Sequence, residues 1–236
     1  TSSIAKVLLA DMSKACGEGR NEQALRDFRL AASRSASILF PAAVFLFMAA
    51  DPFIVTLYSD KYAASALPFR IFLIALPLRI VYYGTALMAI GKTRAILFRS
   101  IFDLIINAIL SVIFVKFFGP IGAAIATVAT LYIWTVPYNL KTIGVGFGVS
   151  SFSILPMRDL GRIFLCSIAS AALPFTFFAL AQLPHSLIAF VSLAIIYGAC
   201  IIPLLGKQDL LPPIPTAISQ LPVIRPLCTL IYPNRS

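Results

Sequence analysis

Apolar residues along the chain fall into six runs of about twenty: Ser37–Tyr58, Leu67–Ile90, Ala95–Phe118, Ile121–Leu140, Ile163–Ala181 and Leu187–Leu205. A helix of that length crosses the roughly 30 Å hydrocarbon core of a bilayer. The runs are continuous. Strands of a membrane barrel would instead alternate over about ten residues, so each run predicts a transmembrane helix. The third and fourth are separated only by Gly119–Pro120, the signal for a tight turn between antiparallel neighbours. Ahead of the first run, Ala24, Leu25, Phe28, Ala31 and Ala32 recur at helical spacing with Arg26, Arg29 and Arg34 between them. That pattern predicts an amphipathic helix leading into the first span, lying on the membrane surface or bridging through solvent. Beyond the last run the prolines of "LLPPIPTAISQLPVIRPLC" forbid another long helix. The expected fold is an all-α polytopic transmembrane helix bundle. Its expected parts are a cytoplasmic connection (1–36), a six-helix membrane domain (37–205) and a Pro-rich cytoplasmic tail (206–236).

Composition agrees with the pattern. Only 12% of the 236 residues are charged, 60% are hydrophobic, and the mean hydropathy is +0.94. A soluble domain carries about 25% charged residues. The net charge of +10 would suit nucleic acid if it formed a patch, but the cations follow the topology instead. When the connections are numbered alternately, one side collects fifteen of the nineteen Lys and Arg residues, from Lys6 and Lys14 through Lys92, Arg94 and Arg99 to Lys141 and beyond. The other side has Lys61, Arg70 and Lys116, and Arg79 lies inside a span. Cytoplasmic loops concentrate basic residues, so both ends of the sequence are expected on the cytoplasmic side of the membrane. Anionic lipid is then the partner of the positive charge, and no nucleic acid is called for. Cys16, Cys166, Cys200 and Cys228 are scattered without a CxxC pair, and His185 has no ligand-type neighbours, so no metal site is expected. No nucleophile with a histidine base, Walker loop or dinucleotide fingerprint is present. Neither an enzyme nor a cofactor is indicated, and "GVGFG" at Gly144–Gly148 reads as a flexible linker. The sequence opens at Thr1 with no secretory signal, which reads as a piece of a longer chain.

Candidate chemistry lies with the ionisable residues inside the spans. Arg79 stands near the middle of the second run, two residues after Pro77. A guanidinium at that depth costs about 2.5–3.5 kcal/mol on insertion scales, so it must serve an anion. In the third run Arg99, Ser100, Asp103, Asn107 and Ser111 recur mainly at spacings of three and four, which makes a polar stripe on one helix face. Arg79 and Asp103 differ in depth by roughly 5 Å at 1.5 Å per residue. Two readings stay open: an Arg79–Asp103 pair that locks two helices, or an Arg79 that lines a cavity and holds an anionic group of a substrate. The planar guanidinium fork suits a pair of phosphate oxygens better than an ammonium does. Tyr83, four residues after Arg79, shares its face. It is a candidate to bond the arginine or a sugar hydroxyl, with helix packing as the alternative. The candidate substrate-binding set is therefore Arg79, Tyr83, Asp103 and Asn107, with Asp51 and Arg99 as secondary candidates. Asp51, just before Pro52, reads first as a helix cap near the outer rim. In the fourth run Gly119, Ala123 and Thr127, and Gly122, Ala126 and Thr130, repeat every four residues, as at close helix–helix contacts.

The stretch from "ILFPAAVFLFMAADPFIVTLYSDKYAASALPFRI" through "AIGKTRA" to "FGPIGAAIATVATLY" resembles polysaccharide-type flippases of the multidrug/oligosaccharidyl-lipid/polysaccharide (MATE-like) exporter superfamily. The resemblance covers Ala31 to Asn139 well and the last two spans loosely. It implies a two-lobed transporter of about fourteen helices, of which this chain is the C-terminal lobe, so that an N-terminal lobe is missing. It also implies translocation of a lipid-diphosphate-linked oligosaccharide for O-antigen, capsule or exopolysaccharide assembly, with a polysaccharide polymerase or ligase as a further partner. Arg79 would then hold the anionic headgroup while the lobes rock. Two alternatives remain beside this. One is a non-transporting structural or accessory subunit whose polar stripe only joins helices. The other is a cation-coupled drug exporter of the same superfamily, which would line its cavity with carboxylates.

Overall fold

In a computed structural model of the chain, the described residues are 2–180 and 187–207; the side chain of Arg79 is among a few within these ranges that lie outside the description. His185 and most of the Pro-rich tail also lie outside it. Ten α-helices are described: α1 Ser2–Gly17, α2 Asn21–Met48, α3 Ala50–Tyr58, α4 Ala66–Ile74, α5 Tyr83–Ala89, α6 Thr93–Phe118, α7 Ile121–Thr130, α8 Val136–Phe147, α9 Met157–Leu180 and α10 Leu187–Lys207. Among the described residues five helical stretches are long and apolar enough to cross a membrane: Asn21–Met48, Asp60–Ala89, Thr93–Phe118, Ile121–Phe147 and Met157–Thr176. A shorter apolar helix, Phe190–Gly206, occupies the place of the sixth run. The chain is an all-α, multi-pass membrane protein.

The first span differs from its expected bounds. The amphipathic segment and the first half of the apolar run form one uninterrupted helix, α2, which stops at Met48. Pro52 explains the stop, because it has no N–H to donate and its ring crowds the carbonyl four residues back. Ala49 turns the chain at φ −90°, ψ 15°, and α3 begins anew. The apolar face of the amphipathic stretch is also not spread on lipid. Ala24, Leu25, Phe28 and Ala32 are buried inside the protein, Phe28 at 1% exposure, while Arg29 donates to the carbonyl of Ser153.

The described residues divide into two compact units, one within Thr1–Ser35 and Ile71–Met157, the other within Ala36–Arg70 and Arg158–Ser236. In the first unit α1 packs on α5, α5 on α8, and α6 pairs with α7 as an antiparallel hairpin. Gly119 at φ +63° makes the turn of that hairpin. At Gly122 a Cβ would lie 2.2 Å from the carbonyl oxygen of Phe114, so only glycine allows the helices to come so close. No residue of α6 is buried, and its apolar side chains form an outer face of this unit. The "GVGFG" segment is no linker. It ends α8, with Gly148 in the left-handed conformation that closes helices, and a Cβ on Gly146 would meet the Ile90 side chain at 2.3 Å.

In the second unit aromatic rings form the packing. Phe45 meets Phe175, Phe190 and Tyr197 at centroid distances of 5.9, 5.4 and 5.5 Å, and Phe53 stacks on Phe69. The buried Tyr197 hydroxyl donates to the Pro41 carbonyl at 3.2 Å. Cys166 is buried, whereas Cys16 and Cys200 are half-buried.

Candidate functional site

The second span is not one helix. α4 ends at Ile74, a 3-10 turn covers Leu76–Ile80, Val81 is extended at φ −95°, ψ 124°, and α5 starts at Tyr83. Pro77 stands near the start of the turn, where its missing N–H does least harm. The bonds tighten accordingly: the Ala75 N–H donates to Phe72 and the Leu78 N–H to Ala75, each across three residues, at 3.0 and 3.1 Å. The Ile74 carbonyl thereby loses its helical partner, and the Tyr132 hydroxyl takes that place at 2.9 Å. Broken helices persist at membrane depth only where protein or a cavity surrounds the irregular backbone. Here Ala75, Ile80 and Val81 are buried, at 4, 1 and 7% exposure. The backbone of Arg79 lies in this turn.

Tyr132 comes from a second irregularity. Between α7 and α8 the helix widens into a π-turn over Leu131–Thr135, a feature that recurs at functional sites. The extra residue turns Thr135 towards α6, where its hydroxyl donates to Asp103 Oδ1 at 2.7 Å. The other carboxylate oxygen of Asp103 lies 3.3 Å from Arg99 Nε, one turn back on the same helix. Asp103 is thus held from both sides, by a cation and by a hydroxyl. One turn further along α6, Asn107 Nδ2 donates to Thr127 Oγ1 at 3.3 Å and its oxygen accepts from Ser111 at 3.2 Å. Of the stripe expected from spacing, Asp103 and Asn107 therefore face the neighbouring span, while the exposed Ser100 donates to the Ile96 carbonyl of its own helix at 2.9 Å.

The other candidates fall as follows. Tyr83 is buried at the start of α5, at 8% exposure, and the neighbouring Tyr82 hydroxyl meets Ser35 Oγ at 3.1 Å. Asp51 lies in the second unit and is not a cap. Ala49 holds the cap position of α3 with no side-chain bond, and Asp51 pairs with Arg70, whose Nε donates to the Phe47 carbonyl at 3.1 Å. The break after α2 leaves that carbonyl available. Three residues of this region escaped the sequence reading: Tyr132, Thr135 and Asn139. The first two depend on the π-turn. Asn139 is fully buried in α8 with neither amide atom partnered among the described residues, and nothing in a single apolar run marks it.

Among comparisons with known proteins, a family model described as "Lipid II flippase MurJ" matches residues 1–142. The match includes α1 to α7, the broken second span and the π-turn. No curated protein and no solved structure matches the chain.

Proposed function

The chain belongs to the lipid II flippase MurJ family, and from that premise we propose that it moves lipid II across a bacterial inner membrane as the C-terminal part of a two-lobed transporter. Membership makes it a transporter that flips a lipid-linked substrate. The observation that carries the finer reading is the interruption of the second span at Arg79, inside the matched region. Arg79 sits in a break near the middle of the span, and a guanidinium fork there suits a lipid diphosphate. Asp103 is already served by Arg99 and Thr135, which supports the cargo, rather than Asp103, as the anion that Arg79 binds. Tyr83 and Asn107 in this reading hold the surrounding helices in place. The carboxylates considered for a cationic drug, Asp51 and Asp103, are each paired with an arginine, which argues against such a cargo.

The family name favours lipid II over the O-antigen, capsule or exopolysaccharide carriers expected from the sequence resemblance. Substitution for a resident flippase tests the choice. In cells depleted of their own lipid II flippase, the intact natural protein should restore growth and the outward appearance of lipid II. If it instead restores O-antigen export in a strain lacking that flippase, and leaves the lipid II strain unrescued, the polysaccharide reading replaces this one.

A further inference from the structure

A cavity of about 590 Å³ opens on the first unit, lined by Lys92, Trp134, Tyr138, Lys141 and Thr142 with Ile133, Pro137 and Val145. Ile133 and Trp134 belong to the π-turn, but none of these side chains makes a contact described above. Lys92 precedes α6 and Lys141 lies on α8, far apart in sequence, yet the fold brings both to one groove. Neither has an ion-pair partner among the described residues. Thr142 spends its hydroxyl proton on the Tyr138 carbonyl at 2.8 Å, so the ammonium groups are the main donors. The wall is fixed by an aromatic ladder in which Phe98 meets Phe102, Phe102 meets Trp134, and Trp134 stacks on Tyr138 at 5.3 Å. Trp134 stands seven residues before Lys141, about 10 Å deeper along the helix axis. The outward-facing Ile133, 70% exposed, belongs to that deeper, apolar end.

We propose that this groove binds one anionic phospholipid of the cytoplasmic leaflet, its phosphate between Lys92 and Lys141 and its acyl chain along Ile133 and Pro137. The charge asymmetry of the connections puts both lysines at the cytoplasmic surface. Basic pockets between spans at that surface take acidic headgroups, and Trp and Tyr are the side chains of that boundary. The cargo's diphosphate is a poorer occupant, since the groove lies at the basic rim whereas Arg79 waits near mid-depth. The inference rests on the membrane topology and holds whichever lipid-linked substrate is flipped.

Trp134 is the only tryptophan of the chain, so its fluorescence reports on the groove alone. The 236-residue chain is placed in phosphatidylcholine nanodiscs containing small fractions of brominated phosphatidylglycerol or brominated phosphatidylcholine. Quenching should favour the acidic lipid on the order of ten-fold, from about five-fold per lysine near a charged surface with a discount for screening. The double variant Lys92→Gln/Lys141→Gln should lose the preference, and Lys92→Arg/Lys141→Arg should keep it. Equal quenching by both lipids in the parent chain, or an undiminished preference in the glutamine variant, overturns the proposal. It is also overturned if a polyprenyl diphosphate glycan displaces the brominated lipid while excess unlabelled phosphatidylglycerol does not, since the occupant is then the cargo. Loss of preference in the arginine variant as well, with helical content unchanged, would mean that charge does not hold the lipid.

Discussion

Asp103 shows how a charge is kept between two membrane helices. A lone carboxylate there would be costly; Arg99 balances its charge and Thr135 fills an oxygen's hydrogen-bond need. Thr135→Val should lower stability by about 0.6–1.7 kcal/mol, the span measured for hydrogen bonds between membrane helices. The check is the thermal unfolding midpoint in detergent, and an unmoved midpoint would show that the bond contributes nothing. Asp103, Asn107 and Ser111 were legible because they keep helical spacing on a straight helix. Their partners were not. The π-turn adds a residue to one turn and rotates everything after it, so a regular 3.6-residue period does not predict where Thr135 points. Asp51 was misjudged as a cap for a related reason: its partner Arg70 is brought to it by a fold that local sequence rules do not describe.

At the scale of elements, the broken second span and the π-turn of the fourth belong together, joined by the bond from Tyr132 to the Ile74 carbonyl. Tyr132→Phe leaves that carbonyl unserved. It should destabilise the protein by about 0.6–1.7 kcal/mol, the span measured for hydrogen bonds between membrane helices, again read from the unfolding midpoint. Pro77→Ala should act in the opposite sense. With the N–H restored, α4 can extend towards α5, so helical circular dichroism should rise and stability should not fall, while transport slows because the break is lost. Unchanged transport in a more helical Pro77→Ala protein would show that the interruption has no functional role. The α6–α7 hairpin gives a third test. Gly122→Ala forces a methyl against the Phe114 carbonyl and should cost about 1–3 kcal/mol as overpacking. Proline gave notice of a bend at Pro77 and of a stop near Pro52. It did not tell how far the irregular backbone would run, because that depends on what neighbouring spans offer the freed carbonyls.

For the whole molecule, the fold class was legible because apolar length and backbone hydrogen bonding leave few choices in a bilayer. The transporter class was legible in ordered segments rather than in any short signature. The lipid II branch was not, since the polysaccharide resemblance and the MurJ match rest on the same spans and the same turn. Orientation was argued from fifteen against three basic residues. Single cysteines introduced at Thr93 and at Ala63, in a chain whose native cysteines are replaced by serine, should react with an impermeant maleimide from opposite sides: Thr93 only after the cytoplasmic face is opened, Ala63 in intact spheroplasts. The reverse pattern would invert the topology and with it the placement of the basic groove. The central claim, that Arg79 holds the anionic headgroup of a lipid-linked cargo, is tested most directly by counting lipid II on the outer face of spheroplasts. The intact natural protein serves as the only flippase, carrying Arg79, Arg79→Lys or Arg79→Ala at equal membrane abundance. Full export with arginine, part of it with lysine and none with alanine is the predicted result. Export by the alanine variant equal to that of the parent would contradict it.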